Sequence, residues 1–391
     1  MSRRALAGLL VVALFATVAL WAIGWPASAA RGNDFASFWV MGRMLLDRQD
    51  MYDFDAYVAA HRAIGNPALS IVAARLPASY PLTTALLCAA FAVFPVAIAA
   101  PLWLVSQTLL AVAATVALAR RIFAAATFRR DLFVLLGLAV SSQPAWLLAG
   151  GGNMGGFLLA IAASSTALLI DGRALAAGAV AGLFVIKPHV LLFAFAALAL
   201  TLPRATALRF VAGAGAVAGA LTLVTLVLDP RWIGELLDQL GGLSAFASRQ
   251  ATVFGLLGPD LAVLAWAIVG ACLVAFVVWA RRARPSLPVL VAAAIPLSLF
   301  CTRYGWSYDH LLLVVTAAVI VGSVADAPAR SRWIVTLALT VVLVPMTWGL
   351  YGLAFQRGEE SFSAFVPLAM LAVLALSLRM RAVIRPRYAG A

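Results

Sequence analysis

The chain has 391 residues, of which 64% are hydrophobic and 11% charged, with a mean hydropathy of +1.03 and a net charge of +13. No water-soluble globular protein hides that much apolar surface, so the composition implies a polytopic membrane protein. The positive charge is not a nucleic-acid footprint. Its arginines stand in short clusters at the ends of apolar runs: Arg3-Arg4, Arg120-Arg121, Arg129-Arg130, Arg281-Arg282-Arg284 and Arg379 through Arg387. That is the positive-inside pattern of cytoplasmic loops.

The runs are continuous rather than alternating, which predicts helices and not a barrel. The first runs from about Arg4 to Trp25 and is long enough to span. The Ala27-Ser28-Ala29 stretch after it resembles a signal-peptide cleavage site, but the run is too long for a signal peptide and reads as an uncleaved helix. Residues 26–79 form an extracytoplasmic loop holding Asp34, Asp47, Asp50, Asp53 and Asp55, five of the fifteen acidic residues. Phe38, Met41, Leu45 and Leu46 recur there at helical spacing, which predicts short amphipathic helices lying along the membrane surface.

Tyr80-Pro81 restarts the apolar pattern. Runs follow near 81–95, 98–119, 132–149, 154–170, 174–201, 208–228, 254–280, 287–302, 308–325, 333–353 and 362–378. With the first they predict about twelve crossings in a single integral membrane domain, 1–391. Residues 229–253, opened by Asp229, Glu235 and Asp238, read as a second extracytoplasmic segment, and Gln356–Glu360 as a third. Strict alternation would put Arg120–Arg130 outside. The positive-inside rule is kept if one piece of 81–119 is re-entrant and 174–201 breaks into two short helices at Lys187-Pro188, where proline lacks an N–H.

Polar groups inside such a chain are expensive and are functional candidates. Asp34 stands at the exit of the first span amid aromatics, where a catalytic base would sit. Lys187 is the only lysine in an arginine-rich chain and lies in an apolar stretch; if it binds a phosphate its charge is compensated only when that phosphate is present, while a structural lysine snorkelling to the interface, or chance in an arginine-rich composition, is the bland alternative. Two of the three histidines adjoin ionisable residues, His189 near Lys187 and His310 after Asp309. Arg303, Tyr304, Gly305, Trp306, Ser307, Tyr308, Asp309 and His310 combine aromatic, cationic and acidic groups that suit a sugar and a phosphate together; an aromatic belt with snorkelling charge is the bland alternative. Ser141 through Gln143-Pro144 and Gly150 through Asn153 read as a tight turn or a ligand loop. No nucleotide-phosphate loop pattern occurs, no metal ligand set stands out, and Cys88, Cys272 and Cys301 read as packing residues.

Taken in order, these landmarks resemble glycosyltransferase family 87, polytopic mannosyltransferases of the GT-C fold. The matching elements are Asp34-Phe35 with Phe38-Trp39 and Gly42-Arg43, Asp50-Met51-Tyr52-Asp53, Tyr80-Pro81, Gly152-Asn153, Gly182-Leu183 through Lys187-Pro188, and Trp306 through His310. Gly152 stands where the family has glutamine, and the order within Trp306–His310 is altered. The resemblance implies transfer of a hexose, mannose, from a polyprenyl-phosphate donor to a lipid or glycan acceptor by inverting displacement, with no metal or other cofactor. It places the protein in a bacterial cytoplasmic membrane, with its site facing outward and no nucleic-acid partner. Asp34 would be the base. Lys187, His189, Arg303, Tyr304, Asp309 and His310 would hold the donor phosphate and sugar, while Arg43, Tyr80 and Asn153 would contact the acceptor or its loop. A transporter or flippase of a lipid-linked sugar is the competing class, although no internal repeat with paired broken helices is visible.

Overall fold

The computed structural model describes residues 34–66, 77–242 and 249–384. The first span, the Ala27-Ser28-Ala29 stretch, part of the first loop at 67–76 and the arginines from Arg385 onward lie outside the described residues.

Among the described residues every regular element is a helix. The first loop supplies α1 (Asp34–Leu46) and α2 (Phe54–Ala63). Pro81 and Pro95 then precede α3 (Leu82–Ala92) and α4 (Val96–Ile122), where a missing N–H and a fixed φ suit a helix start. Next, α5 (Phe128–Ser141) turns by 58° into α6 (Gln143–Gly151). Then come α7 (Gly155–Ile170) and α8 (Ala174–Gly182), followed by two 3-10 turns, Leu183–Ile186 and Pro188–Val190. The chain continues through α9 (Leu192–Thr201), α10 (Arg204–Leu228), α11 (Trp232–Gly242), α12 (Val253–Leu257), α13 (Ala262–Ala283) and α14 (Leu287–Cys301). A 3-10 segment, Ser307–Leu312, leads into α15 (Leu313–Ser323); α16 (Ala329–Val341), α17 (Thr347–Arg357) and α18 (Phe365–Ile384) complete the order.

Five of these helical stretches are long and apolar enough to cross a membrane: Val96–Ile122, Arg204–Leu228, Pro259–Ala283, Ala329–Arg357 and Ser361–Met380. Taking α5 and α6 as one bent span makes six. Several other apolar runs form helices of 10–17 residues, below the roughly 20 that cross a bilayer unaided. Hydropathy counts each run as one crossing, whereas proline and glycine breaks shorten the helices within the runs. The 81–119 stretch divides into the short α3 and the full-length α4. The expected break at Lys187-Pro188 is present, with Lys187 at φ −149° and ψ 68° between the two 3-10 turns.

The helices expected in the first loop form, and much of the apolar side of α1 packs inside the protein: Phe35, Phe38, Met41 and Met44 are buried, Leu45 is half-buried and Leu46 is exposed. Gly42 lets α1 approach α3 so closely that a Cβ would come within 2.5 Å of the Cys88 backbone. Trp103 of α4 anchors the other end. It is fully buried, and its ring lies 5.8 Å from Phe35, 5.5 Å from Phe38, 5.1 Å from Phe91 and 5.0 Å from Phe157. Such aromatic pairs add about 0.5–1.5 kcal/mol each beyond area burial.

Helices α8 and α10 meet through glycines, as expected where lipid supplies no hydrophobic drive and close backbone approach must. A Cβ on Gly178 would collide with the Phe210 carbonyl, and one on Gly182 would lie 2.6 Å from the Ala214 carbonyl. Gly178→Val is therefore expected to cost about 1–3 kcal/mol, read as a lower Tm of purified protein in detergent. Gly215→Ala on the same α10, where a Cβ meets nothing within 4 Å, should leave Tm unchanged or slightly raised. Equal Tm values for the two variants would refute the packing account.

Candidate functional site

The break around Lys187 exposes carbonyls that no helix satisfies, and four hydroxyls from neighbouring segments take them up. Thr83 donates to the Val185 carbonyl at 2.9 Å and Thr84 to that of Ile186 at 2.5 Å. Thr302 donates to the His189 carbonyl at 2.9 Å, and Ser298 to that of Val190 at 2.8 Å. Irregular backbone at membrane depth is stable only when its polar groups are satisfied inside the protein.

Lys187 is 2% exposed, and its Nζ donates to Asp309 Oδ1 at 2.6 Å while lying 4.6 Å from the centre of the Tyr308 ring. This corrects the sequence expectation: the protein itself compensates the charge, through Asp309. An ammonium has three N–H donors, and this bond uses one. Asp309 is held in turn, since its Oδ2 accepts from the Trp306 N–H at 3.2 Å. The Ser307–Leu312 turn is also tied to Glu360, whose Oε2 accepts from the Ser307 N–H at 2.6 Å, and to Gln143, whose Nε2 donates to Ser307 Oγ at 3.0 Å.

Asp34 opens α1, where a carboxylate is favoured by the helix N-terminus. The residue is exposed on one side, yet protein crowds the others. That partial loss of solvation pushes its carboxyl up to about 6; Lys187 pulls it down, and Asp309 pushes it up by less. Asp34, Lys187 and Asp309 thus share one electrostatic centre. Tyr80 and Tyr308 lie in the same field. So does Glu360, whose carboxyl is raised by burial and, to a lesser degree, by Asp309 and Asp34, against the pull of its bond to Ser307.

Of the remaining expected residues, His189 packs edge-on against Tyr304 at 6.2 Å, and the Arg303 guanidinium covers the Tyr304 ring at 5.4 Å. These three form a row beside Lys187, with Arg303 exposed. His310 is buried, with no hydrogen-bond partner for Nδ1 among the described residues. Asn153 is buried; its Oδ1 accepts from the Gly155 N–H at 2.9 Å, and its Nδ2 has no partner among the described residues. Arg43 is not brought to this centre. It lies nine residues along α1, about 13 Å at helical rise, in a surface ion pair with Asp47 at 2.8 Å. His61 is structural, pairing with Asn66 at 2.9 Å and packing on Tyr57.

Sequence reasoning missed Glu360, which sits in an unremarkable loop after α17. It named Tyr308 only as part of an aromatic run. Gly152 had a visible signal, the Gly-Gly-Gly-Asn turn, but not its purpose. Its φ is +66°, and a Cβ there would lie 2.6 Å from the Phe35 Cβ, directly beside Asp34. Elsewhere, carboxylate atoms of Asp50, Asp229 and Glu235 converge to within 4.8 Å of one another, with the Arg231 guanidinium 3.8 Å from Asp229 and 3.6 Å from Glu235. They join the first loop to the 229–253 segment along a cleft of about 550 Å³.

Two outcomes follow from this geometry. Gly152→Ala combines left-handed strain of about 1–2 kcal/mol with displacement of Phe35, so it should lower both Tm and turnover. Gly172→Ala, at φ +74° with nothing within 4 Å of its Cβ, should lower Tm alone. If both variants keep full turnover, Gly152 does not position Asp34. The second outcome is a pH profile. A base is active when deprotonated, so the rate should rise with pH along a limb centred near 6. Lys187→Met removes the larger of the two opposing charge effects on Asp34 and should move that limb upward, while Lys187→Arg should leave it near 6. A limb that stays put in Lys187→Met separates the two groups.

A family model described as glycosyltransferase family 87 matches residues 79–303, more than half of the chain. The match contains Tyr80, Asn153, Lys187, His189 and Arg303, while Asp34, Asp309 and Glu360 lie outside it and are brought to it by the fold. No curated protein and no solved structure matches the chain.

Proposed function

Because the chain belongs to glycosyltransferase family 87 and is a membrane glycosyltransferase, we propose that it moves a hexose, mannose, from a polyprenyl-phosphate donor to a lipid or glycan acceptor. The observation that carries this reading is the Asp34, Lys187 and Asp309 group, which sets a base of raised pKa beside a buried cation.

In the proposed reaction the Asp34 carboxylate takes the proton of the acceptor hydroxyl. The acceptor oxygen attacks the anomeric carbon from the face opposite the phosphate. The bond from that carbon to the phosphate oxygen breaks, and the polyprenyl phosphate leaves with the electron pair, giving inversion. Negative charge develops on the leaving oxygen, where fixed cations and donors lower the barrier most. Lys187 offers its two N–H groups not used by Asp309. Arg303 and His189 are proposed to bind the donor phosphate, Tyr304 and Tyr308 to stack on the sugar, and His310 to donate to the donor. Tyr80 and Asn153 are proposed on the acceptor side. Asp309 orients Lys187 rather than touching phosphate. The cations suffice for a monophosphate leaving group, so the reaction is proposed to need no metal. The site is proposed to face outward from a bacterial cytoplasmic membrane crossed about twelve times in a GT-C arrangement, consistent with arginine clusters at the opposite helix ends. The transporter alternative is not favoured, since the matching family is one of transferases.

Asp34→Asn keeps the shape but accepts no proton. It should lower turnover about 10²–10⁴-fold while leaving expression and Tm unchanged. The assay is transfer of labelled mannose from polyprenyl-phosphate mannose by purified protein. Full activity in Asp34→Asn removes Asp34 from the role of base.

A further inference from the structure

A second polar constellation lies at the other end of α5. Asp131 stands in the first turn of that helix, twelve residues before Gln143 and so about 18 Å along the bent span from the site. It is 3% exposed. Its Oδ1 is fully engaged by Arg130, through Nη2 at 2.7 Å and Nε at 2.8 Å. Its Oδ2 is buried with no hydrogen-bond partner among the described residues. A buried carboxylate oxygen left unpaired is costly, and Asp131 stands in the wall of a groove.

The groove has a volume of about 410 Å³ and runs between α5, α15 and α16. Arg130 and Arg332 stand with Asp131 in its lining, while Val134, Val321, Trp333 and Leu337 make an apolar flank. Trp333 is 69% exposed, as an aromatic at a membrane interface would be. The place is the arginine-rich end of two membrane-crossing stretches, where phospholipid headgroups lie.

We propose that this groove binds a membrane glycerophospholipid whose headgroup carries a hydrogen-bond donor, as in phosphatidylglycerol or phosphatidylethanolamine. The phosphodiester pairs with Arg130 and Arg332. The headgroup hydroxyl or ammonium donates to Asp131 Oδ2. An acyl chain follows the Val134, Leu337 and Trp333 flank. Charge complementarity selects this occupant: two guanidinium groups meet the phosphate, and a lone acceptor meets the headgroup. Basic pockets between transmembrane helices bind lipid headgroups by the same logic. Phosphatidylcholine has the phosphodiester but no donor, so it lacks the second contact. The site is separate from the transfer chemistry and stands whether or not the proposed donor is correct.

The test is native mass spectrometry of the full chain in detergent, titrated with phosphatidylglycerol, phosphatidylethanolamine and phosphatidylcholine of identical acyl chains. The two donor-bearing lipids should be retained about tenfold over phosphatidylcholine, the size of one hydrogen bond to a charged group. Asp131→Ala should erase that preference. Arg332→Gln should weaken retention of all three about fivefold. Thr336→Phe, which fills the groove without touching its charges, should abolish retention and supports the test even if Asp131→Ala fails to fold. Equal retention of the three lipids by the unaltered chain overturns the proposal, as does retention unaffected by Thr336→Phe. Displacement of bound lipid by glycerol phosphate also overturns it, since the groove would then take a soluble phosphate.

Discussion

The ion pair between Lys187 and Asp309 organises the site around it. It joins residues 122 positions apart at 2.6 Å, with the two side chains 3% and 1% exposed. Such a pair adds little net stability, because desolvating both charges offsets their attraction, but removing one partner strands the other at a cost of about 3–5 kcal/mol. It therefore acts as a registration device. The broken helix at Lys187-Pro188 can sit in one place against the Ser307–Leu312 turn, and the hydroxyls of Thr83, Thr84, Ser298 and Thr302 hold the same alignment through the backbone. The four hydroxyls are buried, so losing one of these bonds would leave a buried carbonyl unpaired.

Asp34 reaches this centre by a different kind of force. Among the described residues its helix carries no ion pair into the site; Phe35 and Phe38 pack on Trp103, and Gly152 yields space beside Phe35. The Trp103 indole donates to the Gly152 carbonyl at 2.8 Å, so the same side chain that anchors α1 also fixes the turn it rests on. Dense, non-directional packing thus positions the base, while directional polar contacts position the cation. Glu360 connects the two halves of the 300s through Ser307, and its N–H donates to the Arg249 carbonyl at 2.7 Å.

Much of this was legible in the sequence because polar groups are conspicuous against an apolar background. A lone lysine before a proline marked both the break and the cation; Asp34, Asp309 and Tyr80 stood out for similar reasons. What pairs with what was not legible: nothing local links Lys187 to Asp309, or Ser307 to Glu360, since those contacts are set by packing across distant helices. The Gly-Arg context of Arg43 says nothing about the Asp47 four residues on, which pairs with it on the helix surface. The burial of Phe38 and Met41 inside the protein was not legible because an amphipathic face reads the same whether it meets lipid or protein. The hydropathy runs showed membrane helices but overstated how many of them are full-length, because short helices and full spans share one composition.

The rarity of lysine has a practical consequence. Every other basic side chain except the histidines is a guanidinium, so the chain carries one side-chain amine, and it is sealed under Tyr308 and Asp309. An amine-selective acylating reagent then has a single internal target, shielded by the same side chains that line the site. The rate of acylation at Lys187 therefore reports solvent access to the site through one native residue, and a bound ligand that covers the ammonium would slow it.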